Sequence, residues 1–286
     1  MGIFLGHTRV VGAQIMKNVK LQYLKLNAWR KIAIGTWKTV GDPSVYGSFD
    51  LDVTDLLEKI KNSEKSKPTI TAIVSKAIAE TFKRYPKING MIRFGSIYTR
   101  NSVKLFLQTA VDDAGAELSG LTIDNAENKS LAEISEEIKS KAKMVREDKG
   151  GSLKPVRGLF SLIPTLLVRM ALNFSSFITY TLNINLSFLG IPKDPFGSIM
   201  ITSVGMLGLD LAFAPLVPYS RVPILIAIGA VREQPVVKDG KIVIAKLLKL
   251  NATFDHRFMD GLYAAKMVKA MRQIIETSEG HKILGY

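Results

Sequence analysis

The stretch Asn251–Met271, NATFDHRFMDGLYAAKMVKAM, decides how this chain is read. The run 247–254, LLKLNATF, which leads into it, is apolar and of strand length. Beyond Gly261 the apolar residues Leu262, Ala265, Val268, Met271 and Ile275 recur at the spacing of one helix face. His256 falls between the two, where rigid elements can hold a side chain that a cleft still reaches. The chain has three histidines, His7, His256 and His281, and only His256 has this setting.

Outward from this junction the pattern is mixed. Residues 69–84 predict a helix through Ile70, Ile73, Val74, Ala77 and Ile78. Residues 130–145 predict another through Leu131, Ile134, Ile138, Ala142 and Val145, with Ser130 and Glu133 spaced as a capping box. Strand-like runs lie at 45–53, 102–111, 198–204, 224–231 and 247–254. Asp239-Gly240 in VVKDGKIVI predicts a tight hairpin turn. A hairpin late in the chain disfavours an entirely parallel sheet, since parallel neighbours need a longer crossover.

At 286 residues one elaborated core is expected. Absence of cysteine excludes disulfides, thiolate metal sites and cysteine nucleophiles, and fits a reducing, cytoplasmic setting. No metal site is expected. A good part of the formal net charge of +14 is N-terminal, where Arg9, Lys17, Lys20, Lys25, Arg30, Lys31 and Lys38 precede the first acid, Asp42, and the rest is diffuse. No basic and aromatic RNA-binding motif, zinc-finger spacing or phosphate loop accompanies it, so nucleic acid is not an expected partner. Residues 151–190 contain no acid and are strongly apolar, yet Pro164, Arg169 and several Asn interrupt every span long enough for a bilayer. A buried helical hairpin or a subunit contact is expected there, and membrane contact is not favoured.

His256, Asp260 and Gly261 make up His-x-x-x-Asp-Gly, and FDHRFMDG at 254–261 resembles the catalytic core of the dihydrolipoyl acyltransferases of 2-oxo acid dehydrogenase complexes, within the chloramphenicol acetyltransferase-like superfamily. The resemblance continues in order through AWRKIA at 28–33, VYGSFDLDVT at 45–54, NKSLAEIS at 128–135, SIMITSVGMLG at 198–208 and AIGAVREQPVVKDGKIV at 227–243. It implies an α/β sandwich of the chloramphenicol acetyltransferase-like fold, with a mixed sheet, helices packed on it and an extra apolar helical insertion near 151–190. The expected division is a basic extension at 1–28 and an acyltransferase core at 29–286.

The resemblance also implies the chemistry. His256 takes the family's general base, removing a proton from a thiol or hydroxyl that attacks an acyl thioester. Thr202 falls on the family's oxyanion donor, with Ser203 as the fallback because adjacent strand residues face opposite ways. Asp260 joins this group as a charge that fixes the histidine loop, paired with Arg30, and Gly261 supports the site. CoA or acyl-CoA is the expected substrate, with an unspecified acceptor and no covalently bound cofactor. Only 28 residues precede WRKIA, too few for a lipoyl or partner-binding module, so a lipoyl group or a separate acyl carrier protein is expected only from another chain. The expected assembly is a homotrimer or a larger trimer-based one, with histidine and oxyanion donor on different subunits. The rival expectations are a non-catalytic or in-trans oligomeric core and a membrane-surface scaffold.

Overall fold

The structure, a computed structural model, describes residues 20–25, 42–65, 67–110, 118–147, 164–187 and 193–286. In chain order these form β1 (Leu21–Leu24), β2 (Ser44–Asp52), α1 (Thr54–Asn62), α2 (Ile70–Arg84), β3 (Gly90–Arg93), β4 (Ser96–Arg100), β5 (Leu105–Ala110) and β6 (Leu118–Ile123). They continue with α3 (Leu131–Glu147), α4 (Thr165–Ser176), β7 (Ile199–Ser203), β8 (Ile224–Lys238), β9 (Lys241–Asp255), α5 (Gly261–Glu276) and α6 (Ser278–Leu284). Six strands make one mixed sheet in the order β2-β9-β8-β7-β5-β6, parallel at β5/β7 and β7/β8 and antiparallel elsewhere. A smaller sheet runs β1-β4-β3, so Leu21–Leu24, within the expected N-terminal extension, pairs with a strand of the body.

The local chemistry explains these elements. Asp239 and Gly240 both take positive φ, +50° and +75°, and close the β8-β9 hairpin. The runs expected as separate strands on either side of it merge into two strands of 15 residues each. Ser130 and Glu133 form the expected box: the Glu133 amide donates to Ser130 Oγ (3.2 Å), and the Ser130 amide donates to Glu133 Oε2 (2.7 Å). The β3-β4 turn, Phe94-Gly95, is not signalled by sequence because phenylalanine stands at a positive-φ position usually held by Asn, Asp or Gly.

One face of the large sheet carries Ile199, Ile201, Ile224, Ile226, Ile228, Leu248 and Leu250, all buried in the main core with Ile73, Ile78 and Phe82 of α2, Ile134 of α3, and Met271 and Ile275 of α5. The expected face of α5 is correct at Met271 and Ile275 and wrong at its start. Leu262 and Ala265 are exposed, because Tyr263 and Ala264 pack inward and the buried stripe runs through Met267, Ala270 and Ile274. On the opposite face of the sheet Phe106, Met200 and Leu225 form a second, smaller apolar cluster with Val222 of the chain segment 204–223.

Of the insertion, 164–187 are described. It is not the expected buried helical hairpin there: α4 and the turn of π-helix after it, Phe177–Thr181, leave Leu167, Met170, Phe174 and Phe177 exposed. The segment is tied down at its polar side. Arg93 Nε donates to the Thr181 carbonyl (2.5 Å), and Arg100 binds Asp194 through Nε (3.2 Å) and Nη2 (3.4 Å) in a buried ion pair. Beside that pair Tyr180 is fully buried, and burial together with the Asp194 charge holds its phenol well above the usual range. Among the described residues no helix is long and apolar enough to cross a membrane.

Candidate active site

His256 stands on the turn that leaves β9, and Asp255 organises that turn. Asp255 accepts from the Arg257 amide (2.9 Å) and holds the Arg257 guanidinium bidentately at 3.0 and 2.7 Å, while its carbonyl accepts from the amides of Phe258 (2.9 Å) and Met259 (3.1 Å). Phe258 and Met259 plug into the core. The His256 amide donates to the Pro43 carbonyl (3.0 Å), and that of Asp255 donates to the Pro223 carbonyl (2.9 Å), so three chain segments meet here. His256 is left partly exposed on this turn, with its Nδ1 buried. Asp260 caps α5: its Oδ1 accepts from the Tyr263 amide at 3.2 Å. Arg30, the expected partner of Asp260, lies outside the described residues, as does His7.

Thr202 lies near the end of β7. Ile199 and Ile201 point into the main core, whereas Met200 belongs to the outer cluster, so period-two alternation puts Thr202 on the outer face and Ser203 on the other. There Thr202 lines a cavity of about 270 Å³ with Gln108, Met200, Val217, Tyr219 and Leu225 among its walls; Ser203 does not line it. One wall is aromatic: Phe106, Phe196 and Tyr219 pack in sequence, tilted and then edge to face, at 5.3 and 5.6 Å between ring centroids. Phe106 lies over Gly120, where any Cβ would overlap its ring. Burial pushes the Tyr219 phenol above its ordinary value, so it stays a hydrogen-bond donor at neutral pH. Sequence reasoning misses this cavity; its signal is the continuous apolar character of Leu105–Leu107, Ile199–Ile201 and Ile224–Ile226, which marks strands covered on both faces.

The sheet does not bring His256 and Thr202 together within one chain. Thr202 is level with Ala227 on β8, and Ala227 with Asn251 on β9, two strands away. His256 lies five residues further along, which at ~3.3 Å per residue and ~4.8 Å per strand puts it roughly 15–20 Å from Thr202.

Other candidates separate by role. His281 is buried, its Nε2 at 2.8 Å from the Ile275 carbonyl and its Nδ1 at 3.0 Å from Lys59 Nζ. Because an ammonium can only donate, Nδ1 accepts and Nε2–H donates, which is a structural arrangement. At Gly261 an added Cβ would meet open space, so nothing among the described residues requires glycine there. Arg221, unanticipated from sequence, hydrogen-bonds Ser176 Oγ through Nε (3.2 Å); burial and the nearby Arg257 charge lower its pKa. Among the described residues no group of three His, Asp or Glu side chains could hold a metal ion.

The family model for the 2-oxoacid dehydrogenases acyltransferase (catalytic domain) matches residues 35–158 and 195–282, most of the chain. The stretch it leaves unmatched overlaps the apolar insertion. A dihydrolipoyllysine-residue acetyltransferase component of an acetoin cleaving system from Bacillus subtilis (strain 168) is 28% identical over 211 residues, covering 74% of this chain and 42% of the relative. The chain thus spans less than half the length of that relative. The cubic core of a pyruvate dehydrogenase multienzyme complex superposes with a TM-score of 0.62 at 19% identity, over 91% of this chain and 94% of the other. Chloramphenicol acetyltransferase superposes with a TM-score of 0.50 at 11% identity, over 89% and 99%. These solved structures establish the mixed α/β fold, and the family match establishes that the chain belongs to the 2-oxoacid dehydrogenase acyltransferases, through their catalytic domain.

Proposed function

We propose that the protein transfers an acyl group between a CoA thioester and a thiol or hydroxyl acceptor, with His256 of one subunit acting opposite Thr202 of the next. The acceptor attacks the thioester carbonyl as the His256 imidazole removes its proton. The new C–O or C–S bond generates a tetrahedral oxyanion, to which the Thr202 hydroxyl donates. Collapse breaks the bond to sulfur, and the departing CoA thiolate takes the proton back from the imidazolium, leaving free CoA and the acylated acceptor. Asp255 and Asp260 position the base: one fixes the turn, the other the helix that follows.

The observation that carries this reading is the separation itself. A base on a tightly held turn and a hydroxyl lining an apolar cavity stand at distant points of one sheet, as complementary halves that a rotationally symmetric oligomer can bring face to face. The test is complementation between two inactive variants. His256→Ala and Thr202→Ala, each assembled alone, should lose CoA-dependent acyl transfer. Coassembled in equal amounts, roughly a quarter of their sites would combine an intact histidine with an intact threonine from the neighbour. Recovery of about that share of parental turnover supports the reading. Mixed oligomers as inactive as either parent variant would overturn it.

A further inference from the structure

α4 and the π-helical turn after it turn large apolar side chains outward alongside the polar Arg169 and Asn173. Ser176 and Thr179 are buried, whereas Leu167, Met170, Phe174 and Phe177 are 46%, 68%, 65% and 44% exposed. Their spacing of three, four and three residues lines them up as one stripe on the outside of the helix. An apolar stripe in contact with water is costly, at about 25 cal/mol per Å², so its exposure points to a surface that covers it.

The charges around the stripe indicate what kind of surface. No acidic residue occurs from Gly151 to Lys193. Arg169 is exposed on the helix itself, Arg221 is fastened to Ser176 at its end, and Arg93 is fastened to the Thr181 carbonyl one turn on. Among the described residues none of these three is paired with a carboxylate. Next to Arg93, whose guanidinium carbon lies 5.5 Å from the ring centre of Phe94, that phenylalanine is 63% exposed on the β3-β4 turn. The pattern is an apolar strip bordered by uncompensated guanidiniums. A two-fold contact with a second copy would bring like charges together across the strip, since such a contact apposes the same patch on both partners, and a heterologous contact would need an acidic patch of the neighbour opposite it. An anionic surface would neutralise them.

We propose that the face made by α4 and its π turn docks on an anionic lipid surface, with Leu167, Met170, Phe174 and Phe177 at the acyl boundary and Arg93, Arg169 and Arg221 at the level of the phosphates. The docked face adjoins the candidate site. Arg221 is two residues from Pro223, whose carbonyl holds the Asp255 amide at the start of the His256 turn. On the acyl-transfer reading, which this consequence alone depends on, the acyl donor or acceptor is a molecule that partitions into the lipid interface.

The experiment is flotation of the full chain with two kinds of vesicle, one of phosphatidylcholine alone and one with a large share of phosphatidylglycerol. The parent protein should float with the anionic vesicles and remain behind with the neutral ones, and added salt should weaken binding. Met170→Ser with Phe174→Ser removes exposed side chains only, so its circular dichroism and oligomeric mass should match the parent while vesicle binding falls about tenfold or more. A parent that does not float with anionic vesicles, or floats equally with neutral ones, overturns the proposal. A double variant that floats like the parent, or loses oligomeric mass instead, also overturns it, the latter by assigning the face to a second copy. Absence of acyl transfer with flotation intact would count against the catalytic reading and leave the docking in place.

Discussion

Thr202 and Ser203 are neighbours that carry the same functional group, and the alternation of β7 gives them different surroundings. Only Thr202 lines the cavity, so only its hydroxyl can donate to an oxyanion formed there. Thr202→Ala is therefore expected to lower kcat by about 10² to 10³ with a smaller effect on KM, whereas Thr202→Ser, which keeps the donor, should retain most activity. Steady-state kinetics with Ser203→Ala in parallel settles the assignment: a larger loss at Ser203 would move the donor to the other face. The choice between the two is legible in sequence only through family likeness, because period-two alternation separates the two hydroxyls without saying which face holds the cavity. His256 stands out in the sequence through its junction together with the His-x-x-x-Asp-Gly likeness, whereas the device that holds its turn does not. Asp255 and Arg257 read as ordinary charges until the two bidentate contacts are seen.

At the scale of elements, the helices with strong local signals form where expected, and α3 shows how a charged surface residue fastens one to the sheet. Glu137 lies between Lys129 (2.5 Å) and Lys141 (2.7 Å), and Lys141 also donates to the Thr122 carbonyl of β6 (2.6 Å). Partial burial pushes the Glu137 pKa up, but hydrogen bonds and charge from the two lysines outweigh it and leave the carboxyl below its ordinary value. A depressed folded-state pKa contributes stability that is present above the unfolded value, about 4.3, and is lost as pH falls through the folded one. Glu137→Gln should accordingly cost up to about 1 kcal/mol near pH 7, since the group is partly solvated, and the difference from the parent should shrink below about pH 4. Urea denaturation at the two pH values measures this, and a cost independent of pH would remove the ion pairs as its source. What sequence does not convey at this scale is the small sheet. Its β3-β4 turn uses Phe94 against the usual preference, and β4 is held through Arg100 to Asp194, 94 residues distant. Such a long-range buried pair leaves no periodic trace in the chain.

For the whole molecule, the proposed pairing of His256 with Thr202 makes activity a property of assembly. The separation of roughly 15–20 Å between them follows from strand register, which a local rearrangement cannot close without slipping the hydrogen bonds of β7, β8 and β9. If catalysis needs both groups around one carbonyl, a dissociated subunit holds two half-sites and no complete one. Specific activity should then fall as the protein is diluted through the dissociation constant of its oligomer, and recover on concentration without refolding. Mass photometry paired with CoA-release assays across the same dilution series gives the comparison. The two curves should share a midpoint, because each lost contact removes the site formed across it. A subunit that keeps full specific activity after its oligomeric mass has fallen to that of one chain would show that the reaction uses groups of a single subunit, and His256 and Thr202 would no longer belong to one mechanism.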